Sequence, residues 1–348
     1  MLHLPQIQPR TPAEYHQMAA GPDRRWYRPL LVLLIFAAIF IPLNVFVTVI
    51  PAFIPSIATE GYLGILQGEI DTTDPIVLAV LMFSLIAMIP AILVAVTVGL
   101  RMGLGYFFSV EGRLRWKWQF ISFAIAAAIF ALFYSPIFLV LEDVEWNTPG
   151  NLPLLIVMIF LLVPFQSAAE ELAIRASFLQ IFGSWIPHRW ASLVVATLSS
   201  AAVFSLLHGS LDAWILLDLV IFSLAAVFLM WHTGGVEAAI ALHAGNNVVI
   251  FVLEAIRGTS TSLISAETTS SPISVGISFV MMGTVTLVLA LVAKKMKLTR
   301  RHNPDNTPKP DPVYLYNNLS KGRYFEEWND LYPAYVLQRA GIFPSRLG

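Results

Sequence analysis

The feature that most constrains the fold is a series of eight long apolar stretches in a chain of 348 residues. A helix that crosses a bilayer needs about 20 mostly apolar residues, and lipid offers no hydrogen-bond partner to an unpaired backbone group. We therefore expect each stretch to be a helix, and the fold to be all-α, a polytopic membrane bundle of about eight transmembrane helices. The stretches cover residues 30–54, 75–100, 120–141, 152–182, 191–207, 213–231, 236–256 and 273–293.

The composition excludes several other classes of protein. Hydrophobic residues make up 57% of the chain and charged residues 12%, whereas soluble domains carry about 25% charged residues. The net charge of −1 provides no basic surface for nucleic acid, so the expected surroundings are membrane lipid. Because the chain contains no cysteine, disulfides, thiolate nucleophiles and cysteine-based metal sites are excluded.

Positive charge is concentrated in alternate loops, and this pattern predicts the orientation in the membrane. The segments before the first stretch, after the second and after the eighth are basic, whereas the loops on the other side are acidic and hold a single basic residue, Arg257. The positive-inside rule then places both termini in the cytoplasm. The basic residues are Arg10, Arg24, Arg25, Arg28, Arg101, Arg113, Arg115, Lys117, Lys294, Lys295, Lys297, Arg300 and Arg301, and the acidic ones are Glu60, Glu69, Asp71, Asp74, Glu142, Asp143 and Glu145.

The chain divides into three parts by composition. Residues 1–29 form a cytoplasmic N-terminal segment without the apolar core of a cleavable signal, and residues 11–27 predict a short interfacial helix with Trp26 and Tyr27 at the headgroups. Residues 30–300 form the transmembrane bundle. Residues 301–348 are a polar, proline-bearing cytoplasmic tail whose first part is typical of a disordered linker.

The first of three polar clusters inside the apolar stretches is Glu170-Glu171-x-x-x-Arg175. Ionisable residues at membrane depth are expensive and tend to face a cavity. Glu171 and Arg175 share a helix face and are expected to pair, while Glu170 lies about 100° around the helix and is free to hold a water as a general base. A purely structural ion pair between helices is the alternative. Gln166 and Ser167 are expected beside the carboxylates, and Pro164 is expected to kink the helix.

The other two clusters each place two polar or aromatic residues on one helix face, four residues apart. In the second, Phe204 lies beside His208 and would dry and orient its ring, although a lone histidine at the end of a span is often merely interfacial. In the third, His243 and Asn247 offer donors for a developing oxyanion or, alternatively, a simple interhelical hydrogen bond. Asn246, next to Asn247, is a weaker candidate.

A metal site is an alternative use of the same residues. Glu170, His208 and His243 are of the ligand types that zinc prefers, but the HExxH pattern of a metalloprotease helix is missing. Two further carboxylates are secondary. Asp218 lies within the sixth stretch and is a second-tier candidate, whereas Glu237 at the start of the seventh is favourable there simply as a carboxylate at a helix N-terminus.

Together, the three clusters resemble the motifs of the CPBP family, which contains CAAX-type prenyl-protein endopeptidases and bacteriocin-processing or immunity proteins. The resemblance covers about residues 150–260 and includes the run from Thr233 to Asn247. It implies a multi-pass intramembrane endopeptidase, as in a bacterial plasma membrane, that cleaves peptides or proteins at the membrane from a site open to the cytoplasm. It also implies that the enzyme is of the glutamate type, with no required metal, although zinc remains an alternative.

The resemblance further assigns a role to each motif residue. Glu170 would activate the attacking water with help from His208, and His243 and Asn247 would hold the oxyanion. Glu171 and Arg175 would set the geometry of the site, beside Phe204.

Two other functions are compatible with the residues: a transporter or channel that uses buried carboxylates, and a non-catalytic scaffold or immunity protein. One spatial difficulty accompanies the peptidase hypothesis, because His208 falls near the outer end of the fifth stretch. The fourth stretch, at 31 residues, would span about 46 Å at roughly 1.5 Å per residue. We therefore expect that stretch to tilt, break or protrude, and the fifth to begin after Ala191.

Overall fold

A computed structural model describes residues 12–20, 25–54, 56–65, 70–138, 146–260 and 268–304. The chain divides into two compact units, Met1–His302 and Asn303–Gly348, and only residues 303–304 of the second are described. Part of the acidic loop over residues 142–145, Glu69, and the tail beyond residue 304 lie outside the described residues. The predicted start of the tail at residue 301 differs from this division, since Arg301 and His302 belong to the first unit.

Helices form most of the described part of the first unit. The only described sheet is a two-residue ribbon in which β1 pairs antiparallel with β2. The elements are β1 (Ala13–Glu14), α1 (Arg28–Val49), α2 (Glu60–Ile65), α3 (Pro75–Ile86), α4 (Met88–Gly99), α5 (Leu104–Phe108), α6 (Trp116–Pro136), α7 (Leu152–Glu170), α8 (Ser177–Trp185), α9 (Arg189–Leu207), α10 (Ala213–Thr233), α11 (Glu237–Arg257), α12 (Pro272–Lys295) and β2 (Arg301–His302).

In the described residues, eight helical segments are long and apolar enough to cross a membrane, so the predicted bundle is confirmed. The second segment, Pro75–Gly99, joins α3 and α4, and the fourth, Leu152–Trp185, joins α7 and α8 through a π-helical turn. At 34 residues the fourth segment extends about 51 Å at roughly 1.5 Å per residue, so it protrudes beyond the apolar layer. The expectation that the fifth segment begins after Ala191 is wrong, because α9 already begins at Arg189.

The two ends of the bundle differ in charge. One end, called the basic end here, contains the first turns of α1, α6, α9 and α11, the last turns of α4, α8, α10 and α12, and the β1–β2 ribbon. Hydrogen bonds tie these parts together, for example from Trp185 Nε1 to the Trp26 carbonyl at 2.8 Å and from Trp231 Nε1 to Glu14 Oε2 at 3.2 Å. The opposite, acidic end is joined by contacts such as Asn147 N to the Arg257 carbonyl at 2.9 Å.

The N-terminal segment caps the basic end. Where a short interfacial helix was expected over residues 11–27, the described residues instead form β1 and one 3-10 turn, Tyr15–Gln17. Residues far away in the sequence hold this segment by hydrogen bonds in place of a helix. Gln180 Nε2 donates to the Tyr15 carbonyl at 2.7 Å, and the Tyr15 hydroxyl donates to the Phe107 carbonyl at 2.6 Å. Trp26 remains 74% exposed, as an interfacial residue would be.

Helix α11 occupies the centre of the bundle. In the most apolar part of α11, 72% of the residues are buried inside the protein. The corresponding fraction for the segment that contains α1 is 6%, so α1 faces outward. Small residues permit the close approach of α11 and α6: a Cβ on Gly245 would lie 2.8 Å from the Ala126 side chain. The position of α11 matters because this helix carries His243 and Asn247.

Candidate active site

One cavity of about 550 Å³ brings the three polar clusters together. Glu170, His208, His243 and Asn247 all line it, together with Phe204. The long fourth segment resolves the spatial difficulty, since Glu170 lies fifteen residues before Trp185 and α9 returns beside it until His208 is reached. Apolar side chains and a smaller number of polar ones line the cavity, a combination typical of ligand-binding pockets.

A π-helical turn, Glu171–Ala176, follows Glu170 directly. Such turns are rare and are frequently found at functional sites. Here Glu171 points into a closed interior and is fully buried, whereas the side chain of Glu170 is 13% exposed to the cavity. Glu171 is therefore the paired carboxylate and Glu170 the accessible one, as expected, and the π-helical turn begins between these two residues.

Glu171 and Arg175 form the expected ion pair, with 2.7 Å between Glu171 Oε1 and Arg175 Nη1. The same carboxylate oxygen accepts a hydrogen bond from His243 Nδ1 at 2.7 Å. Arg175 is completely buried, donates to the Ser223 hydroxyl at 3.2 Å and lies 3.3 Å above the centre of the Phe204 ring. This arrangement fixes the His243 ring with its other nitrogen, Nε2, 3.5 Å from Glu170 Oε2.

Aromatic rings hold both histidines. Phe204 and His208 meet edge to face with ring centres 4.4 Å apart, and Phe222 packs against His243 with ring centres 5.0 Å apart. His208 Nδ1 lies 2.7 Å from the Phe204 carbonyl, an acceptor, so this nitrogen carries the proton and Nε2 is the free nitrogen of the neutral ring. Phe204 therefore touches Arg175, His208 and His243, a role that its motif spacing alone did not indicate.

A chain of hydrogen bonds runs from the wall of the cavity to Glu170. Tyr134 Oη donates to Asn246 Oδ1 at 2.9 Å, and Asn246 Nδ2 donates to Asn247 Oδ1 at 3.1 Å. Asn247 Nδ2 donates to Gln166 Oε1 at 3.3 Å, and Gln166 Nε2 donates to Glu170 Oε1 at 2.8 Å. Every donor in this series points toward Glu170, so the series ends on a carboxylate oxygen that accepts a hydrogen bond.

The sequence did not predict the hydrogen bonds that Gln166 and Tyr134 make in this series. Gln166 was expected beside the carboxylates, one turn before Glu170, but its direct bond to that residue comes from the folded geometry. Tyr134 was missed altogether, since a tyrosine near the end of a membrane helix is common at interfaces and carries no distinguishing signal. Asp218 also lines the cavity, and its Oδ1 is buried without a hydrogen-bond partner.

A second buried ion pair lies at the basic end, below the cavity. Arg115 donates two hydrogen bonds to the Glu237 carboxylate, from Nη2 to Oε2 at 2.6 Å and from Nε to Oε1 at 2.9 Å. It also donates to the Thr233 carbonyl at 2.9 Å. Glu237 is fully buried, so more than the expected helix-end carboxylate is present here. Residues 237–242 are all buried, which closes the floor beneath His243.

The cavity extends from this floor toward the acidic end. His208 follows the last residue of α9, Tyr134 lies two residues before the end of α6, and Asp218 lies five residues after the start of α10. The two predictions that the termini are cytoplasmic and that the site opens to the cytoplasm therefore conflict. In the described residues the basic end is closed beneath His243 by residues 237–242, whereas Tyr134 and His208 lie near the acidic ends of α6 and α9.

The described residues contain no group of three or more histidine, aspartate or glutamate side chains that could hold a metal ion. In both histidines Nδ1 lies 2.7 Å from an oxygen, as in many metal-ligating histidines, while Nε2 of His243 lies 3.5 Å from Glu170 Oε2. The zinc alternative for Glu170, His208 and His243 stays a prediction.

Comparison with known proteins supports one class of function. Residues 149–249 match the family model described as type II CAAX prenyl endopeptidase Rce1-like. This segment contains all three polar clusters, and the match agrees with the resemblance to the CPBP family. No curated protein and no solved structure matches the chain significantly.

Proposed function

We propose that this integral membrane protein, whose residues 149–249 are of the Rce1-like CAAX endopeptidase type, is an intramembrane endopeptidase that hydrolyses peptide bonds with a water activated by Glu170. The observation that carries the proposal is the contrast between two adjacent carboxylates. Glu171 is enclosed and neutralised by Arg175, while Glu170 faces the cavity beside His243 and receives a donor chain.

The oxyanion role proposed for His243 uses its imidazolium form, with Nδ1 2.7 Å from Glu171 Oε1 and Nε2 3.5 Å from Glu170 Oε2. An imidazolium donates from both nitrogens. With Nδ1 bound to Glu171, the Nε2 proton faces the cavity and is available to a developing oxyanion.

The proposed reaction begins with a water held between Glu170 and His208. Glu170 takes a proton from the water while its oxygen attacks the carbonyl carbon of the scissile bond. The negative charge that develops on the carbonyl oxygen receives hydrogen bonds from His243 Nε2 and Asn247 Nδ2. The carbon–nitrogen bond then breaks as the proton held by Glu170 passes to the leaving amine, and His208 assists this transfer.

The supporting groups have distinct tasks in this scheme. Gln166 holds one oxygen of Glu170 and thereby leaves the other for water. Glu171 and Arg175 position His243, and Phe204 contacts both His243 and His208 and positions the two rings.

The test is a comparison of protein termini in membranes from cells that carry the wild-type chain or Glu170→Gln. Glu60→Gln is the matched control, because Glu60 is an exposed glutamate at the acidic end, outside the cavity. We expect new termini in cells with wild-type or Glu60→Gln protein that disappear with Glu170→Gln at equal protein levels. Identical termini in all three would contradict the proposal. Cleavage that is lost on chelation and restored by Zn²⁺ would favour the zinc alternative instead.

A further inference from the structure

A second cavity, of about 300 Å³, lies at the basic end between the start of α9, the end of α10 and the β1–β2 ribbon. We propose that it binds the phosphate group of an anionic membrane lipid. The proposal is independent of the peptidase chemistry, because these lining residues are not among those of the cavity that contains Glu170. The described residues that line the second cavity are Glu14, Arg189, Trp231, Arg300 and Arg301.

Glu14 fixes two of the three arginines. Its Oε1 accepts hydrogen bonds from Arg189 Nη2 at 2.7 Å and from Arg301 Nη2 at 3.0 Å, and its Oε2 accepts one from Trp231 Nε1 at 3.2 Å. Burial acts to raise the pKa of Glu14, but the hydrogen bonds from Arg301 and Trp231 outweigh it, so the pKa lies below the usual 4.5. The side chain is therefore a carboxylate at neutral pH. One carboxylate beside three guanidinium groups leaves two positive charges in the cavity.

Arg300 is the arginine without a carboxylate partner. Among the described residues it makes no ion pair, and its guanidinium carbon lies 5.1 Å from the centre of the Trp231 ring. Its backbone packs against the end of α10, since a Cβ on Gly234 would lie 2.6 Å from the Thr299 carbonyl oxygen and 3.0 Å from Arg300 Cα. Gly234, with a φ of +70°, permits both the helix end and this close approach. Arg300 is thus positioned while its N–H donors stay available.

The chemistry of the cluster fits a phosphate at the membrane surface. Guanidinium groups present forked N–H donors that match phosphate oxygens, and basic pockets between transmembrane helices bind anionic lipid headgroups. The depth is also suitable, because tryptophans mark the headgroup level of a bilayer. Trp231 and Trp190 lie side by side with ring centres 6.0 Å apart, and Trp190 is 48% exposed.

An apolar stripe beside the cavity favours a lipid over a soluble phosphate. Trp190, Val194 and Leu198 are exposed at intervals of four residues on α9, so they share one face of this helix. The stripe begins next to Arg189, in the first turn of the helix. A headgroup held by the arginines would therefore place an acyl chain along this face.

The test is the unfolding temperature of the purified full-length protein in uncharged detergent micelles, titrated with phosphatidylglycerol, with phosphatidylcholine of the same acyl chains, or with inorganic phosphate. A ligand that binds only the folded protein raises this temperature, and the rise depends on concentration and affinity. We expect a rise with phosphatidylglycerol and little effect of the other two. Because the contact between guanidinium and phosphate is charge-assisted, Arg300→Met should weaken the apparent affinity by about tenfold or more.

Two further variants make the test specific. Arg300→Gln, a polar replacement, is expected to behave like Arg300→Met, and neither change strands a charged partner among the described residues. Arg113→Met is the matched control, because Arg113 is another exposed arginine of the basic end and does not line the cavity. It removes the same charge and should leave the affinity for phosphatidylglycerol unchanged.

Three results would overturn the proposal. Equal effects of the two lipids, or no effect of either, would show that the cavity does not select an anionic headgroup. Equal weakening by Arg113→Met and Arg300→Met would indicate a diffuse field of positive charge instead of a defined site. Inorganic phosphate that reproduces the whole rise would assign the cavity to a soluble anion and not to a lipid. The outcome leaves the role of Glu170 untouched in every case.

Discussion

The buried pair between Glu171 and Arg175 allows the clearest energetic test of the site. Both side chains are completely buried, and Arg175 also lies on the Phe204 ring. Arg175→Met removes the positive charge and leaves the Glu171 carboxylate with His243 as its remaining partner. Breaking a buried pair in this way costs about 3–5 kcal/mol, because one uncompensated charge stays in the interior. Glu171→Gln is expected to cost a similar amount, since it leaves Arg175 uncompensated.

The double variant distinguishes a charge effect from a loss of packing. With Glu171→Gln and Arg175→Met together, no charge of the pair remains, and the introduced amide oxygen still offers an acceptor to His243 Nδ1. Replacing both members of a buried pair is often neutral, so we expect the double variant to be no less stable than either single variant. The assay is the free energy of unfolding of the purified protein in mixed micelles, titrated with SDS. Single losses below about 1 kcal/mol, or losses that simply add, would refute the reasoning.

Three further predictions concern other parts of the molecule. Gln166→Leu removes the hydrogen bond to Glu170, and because hydrogen bonds to charged groups contribute about 1.5–3 kcal/mol, we expect cleavage to slow by about 10–150-fold while stability changes little. Tyr134→Phe, at the far end of the hydrogen-bond series, should slow cleavage less. The opposite order of the two variants would contradict the proposed role of this series. Gly183→Ala would bring a Cβ to 1.5 Å from the His16 carbonyl oxygen, so we expect it to lower the unfolding free energy by at least about 1–3 kcal/mol. Gly276→Ala, which has open space around its Cβ position, should be neutral. Equal effects of the two variants in the SDS titration would contradict the docking of the N-terminal cap. Burial lowers the pKa of His16 and of His302 from the usual 6.5, so the folded cap holds neutral rings while the unfolded chain takes up protons below pH 6.5. Hydrogen-exchange protection of residues 12–20 should therefore fall between pH 7.5 and 5.5. Protection that is constant or higher at the lower pH would show that these rings are not buried as described.

The number and order of the membrane helices could be predicted from the sequence because lipid imposes a simple length requirement. All eight predicted stretches overlap the observed spans, with ends that move by a few residues; the third, for example, runs from Trp116 to Pro136 rather than over residues 120–141. The cap at the basic end could not be predicted, since β1 and β2 have two residues each and their pairing depends on contacts almost 290 residues apart, such as Arg301 Nη2 to Glu14 Oε1 at 3.0 Å. Periodicity carries no information about such contacts.

For the candidate site, spacing indicated which residues share a helix face but not what lies across from them. The i, i+4 spacing of Glu171 and Arg175 predicted their ion pair, which the structure contains. The bond from His243 to Glu171 joins different helices, and the bond from Gln166 to Glu170 depends on how the side chains turn into the cavity. The closed floor was also beyond the sequence, because Glu237 offered no sign of its partner Arg115, 122 positions earlier.

The most direct measurement of the central claim is the rate at which the purified, reconstituted protein cleaves a peptide spanning one of the Glu170-dependent sites. If Glu170 activates the water, Glu170→Gln should lower this rate by about 10²–10⁴-fold, the usual contribution of a general base, while the unfolding free energy and the affinity for the peptide stay nearly unchanged. A Glu170→Gln protein that cleaves within a few-fold of the wild-type rate would contradict the account.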